Sequence, residues 1–370
     1  MSQQLLTPSN NYQELEGWLV KNLCQRVLVV CDSALPYQKT LNVKLQEIAK
    51  NGIGLSFFDD FTPNPQYESV VKGVDVFRDQ KCDGIIAIGG GSAMDVAKCI
   101  KLYSNMDSHQ NYLEQPIVPN GIPFLAIPTT AGTGSEATRY AVIYYNGDKQ
   151  SITSESCIPQ AVLLDPTCLS TLPPYQRKVT MLDALCHALE SFWSVNSTEQ
   201  SKIYSAQALS EILANLEGYL ANTPQGNRAM LLAAHKAGQA INITQTTAGH
   251  AMCYKLTSLF GIAHGHAAIL CDRVLFPWML THTTLCVDPR GEAYLQRVFG
   301  QIAQAMGCAT PKAAVEKLQS LFTQLNLEVP VATPQQIEEL TQSVNPVRLK
   351  NHPIRLDETT IRQLYQTILR

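Results

Sequence analysis

Long apolar runs are missing from this chain. None approaches the roughly 20 residues needed to span a bilayer, and residues 1–8 have neither a basic start nor an apolar core. No membrane span and no signal peptide are therefore expected. A basic block is missing too: 28 Lys and Arg stand against 31 Asp and Glu, a net charge of −3. That balance argues against nucleic acid and anionic membrane as partners. The 11 cysteines include no Cys-x-x-Cys pair, and several sit within apolar segments. The pattern sets aside a disulfide framework or a thiolate zinc site in favour of reduced, buried thiols in a cytoplasmic protein. No Gly-x-Gly-x-x-Gly follows the first strand-like run, which argues against a conventional Rossmann dehydrogenase. Internal repeats and low-complexity tracts are also absent.

At 370 residues the chain exceeds the usual size of a single core, so two domains are expected. Runs at 27–30, 54–58, 84–88 and 124–127 are apolar and end in turn residues, as buried parallel strands do. Helix-length segments at 37–51, 66–80 and 93–104 lie between them. The alternation predicts a doubly wound α/β dinucleotide-binding domain over 1–165. Residues 165–174 read as a linker. Helical patterns near 177–194, 199–221, 227–246, 292–306, 311–325 and 358–369 then predict an all-helical metal-binding and substrate domain over 166–370. The stretch 345–355, with two prolines, is expected to cross the surface before the last helix.

Four residues read as one metal site. Asp183 and His187 stand four apart in a breaker-free run, so a helix would present both on one face. His250 lies in a second apolar stretch, and His264 sits between Gly261 and Gly265, where a turn leads into another apolar helix. A carboxylate with three imidazoles suits Fe(II) or Zn(II) and leaves room for a substrate oxygen. Taken singly, Asp183 and His187 could be a surface pair and His250 a core histidine; His266 competes with His264 for the ligand role.

The strand-like run 84–88 leads into the segment 89–98, which opens Gly89-Gly90-Gly91-Ser92. Glycines let a backbone approach a ligand closely, and a helix N-terminus attracts phosphate. Ser92 and Asp95 also form a Ser-x-x-Asp capping pattern that any helix might use. Three successive glycines exceed what a cap needs, so a pyrophosphate is expected there. A second polar loop, 128–136, offers the hydroxyls of Thr129, Thr130, Thr133 and Ser135 to ribose and nicotinamide. Asp32, just after the first strand, would accept from an adenosine ribose and repel a 2′-phosphate, favouring NAD(H) over NADP(H).

Together, Gly89-Gly-Gly-Ser-Ala-Met-Asp-Val-Ala-Lys98, Pro128-Thr-Thr-Ala-Gly-Thr-Gly-Ser-Glu136, Asp183…His187 and His250…His264-Gly265 resemble the iron-containing (group III) alcohol dehydrogenases. The similarity covers nearly the whole chain, including Asn64-Pro65 and Leu164-Asp-Pro166. It implies the dehydroquinate-synthase-like fold, an α/β N-terminal domain followed by an all-α one. It places the metal ligands on Asp183, His187, His250 and His264, and cofactor contacts on Asn64, Gly90, Gly91, Ser92, Asp95, Thr129, Thr130 and Lys149. It also favours a homodimer or larger. Many family members carry a substrate-facing histidine four residues beyond the third ligand; here Tyr254 and then Lys255 follow. The segment 250–266 is most similar to the phosphonoacetaldehyde reductase branch. A dianionic phosphonate needs positive charge and donors near the metal, which Lys255, Tyr254 and Arg139 would supply, although Lys255 is five positions from His250 and so off its face. The expected reaction is reduction of phosphonoacetaldehyde to 2-hydroxyethylphosphonate, with Tyr254 as the side-chain candidate for proton donor and bound water or a ribose hydroxyl as its rivals. The alternatives are a general short-chain alcohol or diol dehydrogenase and a dehydroquinate-synthase-like lyase, whose chemistry needs a more polar pocket.

Overall fold

The computed structural model describes residues 3–369; Met1 and Ser2, the start of the segment read for a signal peptide, and Arg370 lie outside the described residues. The chain divides into two compact units, Met1–Leu172 and Pro173–Arg370.

The first unit carries strands β1 (Gln4–Leu6), β2 (Arg26–Cys31), β3 (Gly54–Phe58), β4 (Gly84–Gly89), β5 (Phe124–Pro128), β6 (Tyr140–Tyr145), β7 (Asp148–Thr153) and β8 (Ala161–Leu163). Six of them form a sheet of order β1-β8-β5-β4-β2-β3, parallel at every pairing. Helices α1 (Gln13–Lys21), α2 (Lys39–Lys50), α3 (Tyr67–Asp79) and α4 (Gly91–Tyr103) cover it. The period-2 geometry of a strand sends alternate residues to opposite faces. Leu28 and Val30 thus join Val70, Val74 and Phe77 of α3 and Met94 of α4. Val27 and Val29 join Leu15 and Trp18 of α1 and Leu41 and Leu45 of α2. Burial on both faces is why these strands read as unbroken apolar runs. After β3 the chain returns to place β4 on the other side of β2, so strand order reverses there, the position where open α/β sheets bind ligands. The antiparallel β6–β7 hairpin, turning at Asn146-Gly147 with positive φ at both, was not anticipated. Its Asn-Gly signal is plain in retrospect.

The second unit is helical: α5 (Pro174–Trp193), α6 (Glu199–Ala214), α7 (Leu216–Leu220), α8 (Pro224–Thr244), α9 (Ala248–Phe260), α10 (His264–Thr281), α11 (Glu292–Ala305), α12 (Pro311–Leu325), α13 (Pro334–Ser343), α14 (Pro346–Leu349) and α15 (Glu358–Ile368). Threonine or aspartate starts many of these helices: Thr198, Thr223, Thr310, Thr333 and Asp357 each accept a backbone N–H of the first turn, worth about 1 kcal/mol apiece. Helices α6, α8 and α10 surround α5, and every α5 residue from Met181 to Trp193 is buried. A charged residue on such a helix needs a partner or a ligand.

Three expectations change. The unit boundary falls at Leu172–Pro173 rather than 165–166, because the supposed linker is a packed turn of the first unit. Asp165 accepts from Thr167 N at 2.8 Å and bonds Tyr12 Oη, Gln38 Nε2 donates to Cys168 O at 3.1 Å, and Cys168 lies in the core. The helix expected over 199–221 breaks at Asn215 into α6 and α7. The stretch 345–355 does not simply cross the surface. It forms α14 and then buries His352, Pro353 and Ile354, with Val287 N donating to Pro353 O at 2.8 Å. Among the described residues no helix is long and apolar enough to cross a membrane.

Candidate metal centre and nucleotide loop

In the second unit, the buried face of α5 presents Asp183, His187 and Glu190 at i, i+4 and i+7. His250 joins them from the first turn of α9, and His264 from the first residue of α10. Two glycines make this approach feasible. A Cβ on Gly265 would lie 2.0 Å from Val179 O and 2.8 Å from Asp183 Cβ, and one on Gly249 would lie 2.0 Å from Asp272 Oδ1. The absence of those side chains brings each neighbouring histidine against α5.

Asp183 Oδ1 lies 3.5 Å from His250 Nε2 and 3.9 Å from each of His187 Nε2 and His264 Nε2. Donor atoms that share one ion at about 2 Å stand roughly 3–4 Å apart, and this set is close to that spacing. Asp183, His187 and His250 are buried and their donor atoms lie within 4.8 Å of one another. Among the described residues neither Asp183 Oδ1 nor His250 Nε2 has a hydrogen-bond partner, a costly state for buried polar atoms unless something binds them. Burial by itself would raise the Asp183 carboxyl. The surrounding His187, His250 and His264 nonetheless hold it well below the ordinary carboxylate range. The donor set and its orphaned atoms fit a divalent cation.

Glu190 was missed in the sequence, although its place three residues after His187 was the available signal. Fully buried, it accepts from Thr247 N, from Thr247 Oγ1 at 2.7 Å, from His250 N at 3.0 Å and from His250 Nδ1. That grip leaves His250 Nε2 aimed at Asp183, the carboxylate–histidine arrangement that orients metal ligands. Burial would depress the His250 imidazole, but Glu190 and Asp183 push it up to about 10. Behind Glu190, burial pushes the Asp272 carboxyl well up, with the Glu190 charge adding to it.

In the first unit, β4 runs through Gly89 into α4, whose N-cap is Gly90 with no side-chain cap. The Ser92–Asp95 capping pattern is not formed. Asp95 instead accepts from Ser135 Oγ at 3.0 Å, and desolvation raises its carboxyl to about 6 against the pull of Lys98. Lys98, also missed, is fully buried. It donates to Ser135 O (2.6 Å), Ser135 Oγ (2.9 Å), Thr138 Oγ1 (3.1 Å) and Tyr140 O (2.6 Å), which ties the 128–136 loop to α4. The first-turn N–H groups of α4 thus have no side-chain cap, as an anion site requires. Thr129 N donates to Gly89 O at 3.0 Å, and Thr130 and Thr133 lie against Gly90 and Gly91. Asp32 sits at the reversal between β2 and β4, where its carboxylate accepts from Ala34 N and Gly90 N, both at 2.9 Å. Asn64 is exposed in the left-handed region. The adjacent Pro65 O accepts from Tyr144 N at 2.8 Å, and Tyr144 pairs across the hairpin with Lys149, whose charge acts on Asp95.

Two family descriptions match this chain end to end: "Iron-containing alcohol dehydrogenase" over residues 4–166 and "Fe-containing alcohol dehydrogenase family, C-terminal" over 178–369. The chain belongs to the iron-containing alcohol dehydrogenase family. It is an oxidoreductase of that family. A phosphonoacetaldehyde reductase of Streptomyces viridochromogenes is 31% identical over 299 residues, 77% of this chain and 75% of that protein. An aldehyde-alcohol dehydrogenase of Streptococcus pneumoniae is 27% identical over 383 residues, 96% of this chain but 42% of that longer protein. In fold, the sulfoacetaldehyde reductase of Bifidobacterium kashiwanohense, solved with NAD+, superposes with a TM-score of 0.87 at 23% identity, covering 99% of this chain and 96% of that one.

Around the ligand cluster of this iron-containing dehydrogenase, the remaining expected residues separate. The Tyr254 ring stacks on His264 with centroids 5.6 Å apart and planes 21° apart. Lys255 is not brought there. Its Nζ pairs with Glu339 Oε1 of α13 at 2.7 Å, the consequence of standing off the His250 face. His266 is also directed elsewhere, its ring bonding Tyr175 Oη at 3.1 Å and Glu328 O at 2.9 Å. Arg139, in the first unit, pairs with Glu155 at 2.8 Å. The cation beside Tyr254 is Arg348, which the sequence did not single out.

Proposed function

We propose that this chain is a metal-dependent aldehyde reductase using NAD(H), and that its reaction is phosphonoacetaldehyde to 2-hydroxyethylphosphonate. The convergence of three imidazole nitrogens on one buried, otherwise unbonded Asp183 oxygen carries the metal-dependent part of this reading. Asp183, His187, His250 and His264 hold the ion, and Glu190 fixes the His250 tautomer and ring. Fe(II) or Zn(II) there would serve as a Lewis acid toward a substrate carbonyl.

The uncapped N–H groups at Gly91 and Ser92 bind the dinucleotide pyrophosphate, with Thr129, Thr130 and Thr133 beside them. Ser135 and Asp95 act further back, by holding the two loops together through Lys98. Asp32 favours NAD over NADP by placing negative charge at the sheet's reversal point; a comparison of NADH with NADPH tests it. The bound nicotinamide would supply the hydride. Tyr254, whose ring stacks on His264 and whose Oη accepts from Arg348 Nη1 at 3.2 Å, is the side chain that donates the proton to the alkoxide product.

The substrate itself is supported by the 31% identity to the phosphonoacetaldehyde reductase. Neutralisation of Lys255 by Glu339 favours a second reading, a general short-chain alcohol or diol dehydrogenase. The deciding assay follows NADH oxidation by anaerobically Fe(II)-loaded enzyme with phosphonoacetaldehyde, propanal and glycolaldehyde. A hundredfold preference in kcat/KM, about 2.7 kcal/mol, is expected for the phosphonate; equal rates would leave the general dehydrogenase. We further infer a cytoplasmic homodimer. No disulfide joins its 11 cysteines among the described residues, and most are buried, in keeping with a reducing compartment; native mass measurement tests the dimer.

A further inference from the structure

Arg348 is the cation of the second unit placed beside Tyr254. Lys255 pairs with Glu339, Arg290 with Asp288, and Arg362 with Glu338 and Glu358. Arg348 is half-buried and has no carboxylate partner among the described residues. Among the described residues the single hydrogen bond of its guanidinium is Nη1 to Tyr254 Oη, and its Cζ lies 4.8 Å from the centre of that ring. The same ring stacks on His264, whose Nε2 faces Asp183. The guanidinium and a residue of the ligand cluster therefore contact one and the same aromatic ring. A guanidinium carries five N–H donors in a planar fork, and most of these donors are uncommitted here.

The element beneath Arg348 is anchored. Asn345 Oδ1 accepts from Val347 N at 2.9 Å. Asn351 donates to Gln245 Oε1 at 2.8 Å and to Thr246 O at 3.3 Å, just ahead of α9, while its own carbonyl accepts from Val195 N at 3.0 Å. His352 N donates to Leu349 O at 2.9 Å, which closes the turn, and burial of His352, Pro353 and Ile354 pins its far end.

We infer that Arg348 is the specificity residue for the anionic group of the substrate, gripping phosphonate oxygens through its free fork while the aldehyde end is held at the His264 side of the metal ligands. This rests on the phosphonate reading above. A bidentate guanidinium grip is geometrically suited to tetrahedral oxyanions, and the apolar Tyr254 face below it strengthens the interaction by excluding water. The carbonyl chemistry requires no change, because the residue touches the far end of the substrate.

The test compares wild type with Arg348→Gln and Arg348→Lys, all loaded with Fe(II) and NADH, on phosphonoacetaldehyde and propanal, together with inhibition by ethylphosphonate. The expected result is a wild-type preference for the phosphonate that falls at least tenfold in Arg348→Gln through KM, a smaller fall in Arg348→Lys, and a parallel weakening of ethylphosphonate binding. If wild type prefers the phosphonate and both variants keep that preference, the Arg348 assignment is overturned while the substrate reading stands. Equal losses on both aldehydes would also overturn it, as the mark of a structural role. A wild type with no preference removes the substrate reading and this inference together. Should Arg348→Gln fail to fold, the Lys variant and the inhibitor constant still decide.

Discussion

The two units solve opposite binding problems with opposite materials. The candidate metal centre is built of side chains: one carboxylate and three imidazoles set on buried helices, with Glu190 as the buried orienting group. The nucleotide loop is built of backbone: glycines at the end of β4, the uncapped start of α4, and a Lys98–Ser135–Asp95 tie that keeps its own polar atoms out of the way. A compact divalent ion rewards convergent, strongly donating side chains, whereas a pyrophosphate rewards N–H groups and close access. In each case the supporting carboxylate (Glu190 in one, Asp32 in the other) fixes the geometry by accepting backbone N–H groups.

Breaking the side-chain site has the largest expected effect. His264→Ala should strip the metal and abolish turnover, with metal content read by mass spectrometry, while His266→Ala, whose ring is engaged by Tyr175 and Glu328, should retain the ion. Metal loss from the His266 variant instead would reverse the ligand assignment. Next, Gly91→Val should disable the backbone site alone. A Cβ there already lies 3.0 Å from Thr133 Cγ2, so NADH affinity in a fluorescence titration should fall at least tenfold, about 1.4 kcal/mol, at unchanged metal content. Joint loss of metal and nucleotide would show that the two sites are not separable.

Glu190→Gln comes third: metal affinity should fall about 10–100-fold, because an amide cannot hold His250 as the carboxylate does. An unchanged affinity would reduce Glu190 to packing. The last effect, and the smallest on either site, is on folding. Burial pushes the His352 imidazole down to about 4, only partly opposed by the Glu190 charge, and neither ring nitrogen has a hydrogen-bond partner among the described residues. A folded pKa below the unfolded value near 6.5 means the folded state binds fewer protons. Its contribution is complete above about pH 6.5 and is lost as pH falls toward 4, on the order of a few kcal/mol. Urea midpoints at pH 7.5 and 5 should differ in wild type and converge in His352→Gln.

Much of this was legible in the chain. Apolar runs ending in turn residues marked β2, β3, β4 and β5, since a parallel sheet buried on both faces leaves no room for polar alternation. The spacing of Asp183 and His187 put carboxylate and imidazole on one helix face, and the structure brings His250 to them. Less legible were β1 and β8, each three residues long and stabilised by neighbours rather than by composition. The packed 166–169 turn looked like a linker because Pro and Thr serve turns and linkers alike.

The sequence by itself determined what local periodicity and residue chemistry can encode: an α/β unit followed by a helical one, a glycine-rich strand-to-helix turn, and a metal-ligand vocabulary. Which groups would be spent on one another was decided only by tertiary structure. Ser92 and Asp95 looked like a cap until Ser135, 40 residues away, took the carboxylate; Lys255 looked like the substrate cation until α13 supplied Glu339; and Arg348, 94 residues from Tyr254, gained its place only when α14 was pinned near the start of α9. Each outcome is a long-range pairing that competes with a local one, and the competition is settled by burial and geometry that no short window of sequence contains.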